Sequence, residues 1–179
     1  MRSMSRISNA VIFGFVLTGL VWAAARPLPP GVVQRAPGIH QLGTAQHRVF
    51  GVRVFAATLW VTGGAWSPDE PHALDVEAAR KIPKQRLIDN LVKEMRDQQS
   101  GTPAQLAQWK GQLTTLIPEL NNGDQLVVFC TEKNKETMVF YNGNQRGEIA
   151  DPQFCEALFQ VWLHPETSNT EVRRSLLRK

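Results

Sequence analysis

The chain has 179 residues, room for one ordinary domain and too little for two comfortable ones. Hydrophobic residues make up 42% and charged residues 20%, so a core can be filled and a disordered polymer is excluded. Two cysteines exclude a disulfide-knot scaffold and a four-cysteine zinc site, and a net charge of +4 is too mild to argue for nucleic acid.

In chain order, Arg2 and Arg6 precede an uncharged run from Ile7 to Ala25 that closes on Ala23-Ala24-Ala25. A positive start, an apolar middle and a small-residue end predict a secretory signal peptide over 1–25, cut after Ala25. The alternative is an uncleaved anchor helix, the only membrane contact the sequence suggests. Cleavage leaves 18 basic against 16 acidic residues, and the expected location is periplasmic or secreted, where disulfides persist. Residues 26–37 are Pro-rich and read as an extended N-terminal arm, with one domain over 38–179.

GIHQLG (38–43) is a candidate first strand. His47 to Val61 is rich in β-branched and aromatic residues and reads as one long strand, bulged at Gly51. A Gly- and Pro-rich loop and the short strand HALDVEA follow. After Pro83, Ile88, Leu91, Val92 and Met95 repeat at helical spacing, and Thr102-Pro103-Ala104-Gln105 is a capping-box start for a second helix. Two strands follow, QLVVFCTE and ETMVFYN; Asn142-Gly143 then predicts a tight hairpin into Gln145–Ile149. Asp151-Pro152 opens a helix with Phe154, Ala157, Leu158, Val161 and Trp162 on one stripe, and Ser168–Glu171 opens a last short helix. Segregated runs of strands and helices predict an α+β fold, an antiparallel sheet covered by a helical layer.

The chemistry-bearing residues are sparse. His40, His47, His72 and His164 stand at no metal-ligand spacing, and there is no nucleophile elbow, phosphate loop or dinucleotide fingerprint, so neither metal nor cofactor is expected. Cys130 shares a sheet face with Leu126 and Val128, and Cys155 lies beside the apolar stripe of its helix. Packing that helix on that face brings the two sulfurs within reach of a disulfide; two buried free thiols are the alternative, and both stay open.

The final third, YNGNQRGEIADPQFCEALFQVWLHPETSNTEVRRSLL, and the strand ending VFAATLWV resemble the bacterial chalcone isomerase-like family. The helical middle and PELNNGDQLVV fit the same layout, so the likeness runs from Gly38 to Leu177. It implies an open-faced β-sandwich, a large antiparallel sheet under helices. It also implies a catalytic Arg early in the long strand, a water-ordering Tyr, an Asn, and a Thr or Ser on the penultimate helix. Here the Arg position falls at or next to His47, with Arg48 adjacent, and the Tyr position holds Phe55. Asn90 is a candidate for the Asn, and Phe159, Gln160 and Val161 stand where the Thr or Ser belongs. Tyr141, the single Tyr, does not match the catalytic position. Phe cannot orient a water, and a neutral His is a poor anion partner, so a ring-closing catalyst is not expected.

Relatives of this fold hold fatty acids, which implies a non-catalytic binder of a fatty acid or another small apolar anion between sheet and helices. His47, Arg48 and Arg53 are the candidate cations; Phe55, Trp60, Leu91 and Asn90 are candidate lining residues. The alternatives are an envelope protein-interaction module with a filled core and an intramolecular lyase of the chalcone isomerase type. No nucleic-acid partner is expected.

Overall fold

The computed structural model describes residues 26–179, so the signal peptide expected over 1–25 lies outside the described residues. Among the described residues, six strands form one antiparallel sheet in sequence order. They are β1 (His40–Val49), β2 (Val52–Val61), β3 (His72–Ala78), β4 (Gln125–Cys130), β5 (Thr137–Tyr141) and β6 (Asn144–Ile149). Five α-helices accompany them among the described residues: α1 (Pro30–Arg35), α2 (Lys84–Asp97), α3 (Pro103–Leu116), α4 (Pro152–Leu163) and α5 (Thr170–Leu177). This is the α+β architecture expected, an open antiparallel sheet under helices. Among the described residues, no helix is long and apolar enough to cross a membrane.

Strand alternation sorts the side chains into two cores. Leu59, Leu74, Val128, Val139 and Ile149 meet Ile88, Met95, Trp109, Phe154 and Leu158 of the large helical layer. On the opposite face Ala73, Val127, Phe129, Met138 and Phe140 meet Leu28, Val32 and Ala36. Every residue of β4 is buried, because this central strand is covered on both sides; its apolar run from Leu126 to Cys130 records that position.

Several local signals act as their chemistry dictates. The Thr102 hydroxyl accepts from the Gln105 backbone N–H at 3.3 Å while the Gln105 side chain accepts from the Thr102 N–H at 3.0 Å, closing the capping box of α3. Asp151 caps α4 by accepting from the Gln153 N–H at 3.0 Å and also accepts from the Trp109 indole at 2.9 Å, tying α4 to α3. Asn142 and Gly143 have φ values of 47° and 83° and turn β5 into β6. Cys130 and Cys155 form a disulfide across a Cα–Cα distance of 6.2 Å, joining β4 to α4.

Two expectations are corrected. The arm is not extended throughout: Pro30 to Arg35 form α1, whose Val32 is fully buried against the sheet. Pro30 sits at the first helical position, where its fixed φ and missing N–H favour a helix. The stretch from His47 to Val61 is not one bulged strand. Val49 pairs with Val52 across a turn at Phe50 and Gly51, whose φ values are 49° and 76°. A turn with two positive φ angles matches the twist of a hairpin, so β1 and β2 double back. The bulges fall instead at Leu42 and between His47 and Arg48. At Gly43 the last helix lies directly on β1: a Cβ there would collide with the carbonyls of Ser175 and Leu176.

Candidate ligand-binding cavity

Between the sheet and the helical layer lies a cavity of about 600 Å³, within the range of small-molecule sites. Phe55, Leu74, Val76, Leu126 and Val128 form its floor. Leu87 and Leu91 of α2, Leu113 of α3, Ile117, and Leu158 and Trp162 of α4 form its roof. Leu74, Ile117, Leu126 and Leu158 are buried, whereas Val49, Phe50, Val52, Arg80, Lys81, Arg86 and Asn90 are exposed. The cavity therefore opens between the β1–β2 turn and the start of α2.

The lining is chemically one-sided. Its charged side chains, Arg80, Lys81 and Arg86, are all basic, and no carboxylate or hydroxyl side chain lines the wall among the described residues. Lys81 is partnered by Glu119 at 2.6 Å, a hydrogen bond that holds the Glu119 carboxyl below its usual pKa. His47 is half-buried at the rim with its ring stacked on Phe55, centroids 4.9 Å apart. Asn90 stands one helical turn after Arg86. Such a wall can shelter an apolar body and meet a negative head at its open end. Its polar side chains among the described residues are basic or amide groups, without a hydroxyl.

Of the residues singled out from the sequence, His47, Phe55, Asn90 and Leu91 meet at this cavity. Arg48, Arg53 and Trp60 do not line it. Arg48 donates to Gly51 O at 3.0 Å and to Gln46 Oε1 at 2.8 Å, and it faces Arg53 across the turn, outside the cavity. Trp60 packs with the α1 cluster on the other side of the sheet; five residues from Phe55, it is on the opposite face by parity. Tyr141 donates to Asp124 Oδ2 at 2.8 Å, which raises the phenol's pKa, and is also outside the lining. Phe159 is buried against the ring of His72, centroids 4.3 Å apart. Sequence reading missed Arg80, Lys81 and Arg86. The available signal was the run Ala-Arg-Lys-Ile-Pro-Lys-Gln-Arg over 79–86, four basic residues and no acid.

Two further polar groups are buried in the sheet. His72 Nδ1 is 2.7 Å from the Glu70 carbonyl, and its Nε2 lies 3.8 Å from Cys155 Sγ. Burial depresses its pKa, so the ring stays neutral. The His72 nitrogen and the two sulfurs cluster within 4.8 Å, but the sulfurs are bonded to each other, which removes the thiolates a metal would need. On the α1 face, Asp75 Oδ2 accepts from Gln125 Nε2 at 3.0 Å, and burial pushes its carboxyl up to about 6.

Residues 42–178 match the family model described as chalcone isomerase-like. The structure is similar to the crystal structure of a fatty-acid binding protein from Arabidopsis thaliana, with a TM-score of 0.63 and 9% sequence identity, covering 79% of this chain and 87% of that one. At that identity the likeness speaks for the fold alone. No curated protein matches the sequence.

Proposed function

The chain belongs to the chalcone isomerase-like family, and within that fold we propose that it is a non-catalytic binder of a fatty acid or a similar apolar anion. The observation that carries this reading is the cavity of about 600 Å³ whose wall is hydrocarbon and whose charged groups are all basic. An apolar tail gains by leaving water, roughly 0.8 kcal/mol per buried CH₂. A carboxylate at the open end meets Arg80 and Arg86 in a charge-assisted contact. The fatty-acid binding title of the similar plant structure supports the same ligand class. The lack of a hydroxyl on the described lining argues against ring closure, and the hollow argues against a filled interaction module.

The reading includes export, with processing after Ala25, supported by the alanine triplet that ends the apolar run. N-terminal sequencing of the exported protein is expected to begin at Arg26; a start at Met1 overturns this part.

Ligand binding is tested by native mass spectrometry of the purified protein and by displacement of a fluorescent fatty acid. Co-purified fatty acid, and displacement by palmitate, are expected. Replacing Ile117 by Trp, which fills the cavity, should abolish displacement, and Arg80→Gln with Arg86→Gln should weaken it about tenfold or more. A folded protein that neither carries nor binds any fatty acid overturns the reading.

A further inference from the structure

The tip of the β1–β2 hairpin breaks three local rules of a stable turn. Phe50 is fully exposed and has a φ of 49°, a left-handed conformation that Asn or Gly adopts at little cost and a bulky aromatic residue does not. Val49 and Val52, directly opposite each other, are both exposed. Arg48 and Arg53 are also directly opposite, placing like charges on neighbouring strands, an unfavourable pairing in water. No Asp or Glu occurs between His40 and Val61 to neutralise them. Violations gathered at one exposed point signal a use elsewhere than in folding.

We propose that this tip docks on an anionic lipid bilayer. Phe50, Val49 and Val52 enter the boundary between headgroups and acyl chains, and Arg48 and Arg53 rest on the phosphates. The chemistry fits that surface: an apolar wedge flanked by cations gains from both the hydrocarbon and the negative headgroups. Position adds a second argument. Val49, Phe50 and Val52 also line the open end of the cavity, beside the exposed Arg80 and Arg86, so the docked tip turns that opening toward the bilayer. The inference does not depend on which ligand the cavity holds.

The test is flotation with vesicles of phosphatidylcholine, with and without about a quarter phosphatidylglycerol. It uses the full chain and, in parallel, the chain from Arg26, which keeps every described strand and helix and lacks the apolar run ahead of them. The chain from Arg26 is expected to float with the anionic vesicles. Phe50→Asn should reduce this at least about tenfold. It should leave the melting temperature unchanged or raised, because Asn suits the turn. Arg48→Gln with Arg53→Gln should reduce it several-fold and flatten its salt dependence. Equal flotation of Phe50→Asn and the parent overturns the proposal. So does a folded chain from Arg26 that ignores anionic vesicles, or a parent dimer that Phe50→Asn dissolves without any vesicle binding.

Discussion

The two faces of the sheet follow different building rules. The face under α2, α3, α4 and α5 carries a large apolar core, a disulfide and a hollow. The face under α1 carries a small cluster from a six-residue helix, and among its strand residues are the buried Asp75 and Gln125 and a Trp60 indole N–H without a partner. Thick cover lets the first face leave space empty and still hold together. Both faces bury polar groups, and on the second Asp75 Oδ1 has no hydrogen-bond partner among the described residues. Stability therefore comes mainly from the face that also holds the cavity.

The strongest way to break this asymmetry is Leu158→Asp, at a residue 1% exposed on the helical side. A charge buried without a partner costs several kcal/mol, on the order of the whole stability of a domain, so no cooperative melt should be seen. A melting temperature equal to that of the parent refutes the packing. Next, Cys130→Ala with Cys155→Ala removes a link across 25 residues. The expected loss is roughly 3 kcal/mol in urea unfolding.

On the thin face, Asp75→Asn is expected to stabilise. The carboxyl has a pKa of about 6 when folded against 3.8 as its ordinary value, so the folded state prefers it protonated. Its stabilising contribution is complete below 3.8 and is lost as pH rises through about 6. The gain from Asn should therefore reach about 3 kcal/mol at neutral pH and fall well below 1 kcal/mol near pH 4. His72 acts oppositely: its depressed pKa costs stability as pH falls through 6.5, and Asp75→Asn should leave that limb in place. The smallest effect is Val32→Ala in α1, about 1–2 kcal/mol by calorimetry. A loss as large as that from the disulfide would show that the thin cover matters as much as the thick.

How much of this was legible follows from where each signal resides. The order of strands and helices, the capping box at Thr102 and the hairpin at Asn142-Gly143 are local chemistry, and each is written in adjacent residues. The nearness of Cys130 and Cys155 followed from strand parity and helix stripe. The β1–β2 turn was hidden because Phe50 occupies a position that turn chemistry assigns to Asn, so its neighbours read as unbroken strand. Helix α1 was hidden because its prolines also suit an extended arm, and only the sheet beneath Val32 decides between them. At the cavity, the strand residues His47 and Phe55 were within reach of a family resemblance. Arg80, Lys81 and Arg86 were not, since they follow β3 and reach the cavity only through the tertiary course of the chain. Parity alone would have removed Trp60.

The meeting of α5 with β1 at Gly43 is a contact between distant parts of the chain. The first strand gains its cover from a helix far along the chain, so that side of β1 stays bare until α5 docks on it. A chain cut before Thr170 keeps the whole meander but leaves that face of its edge strand in water, so the loss of α5 is felt at the strand farthest from it in sequence. Docking of α5, and not the closing of any one hairpin, completes the cover of this strand.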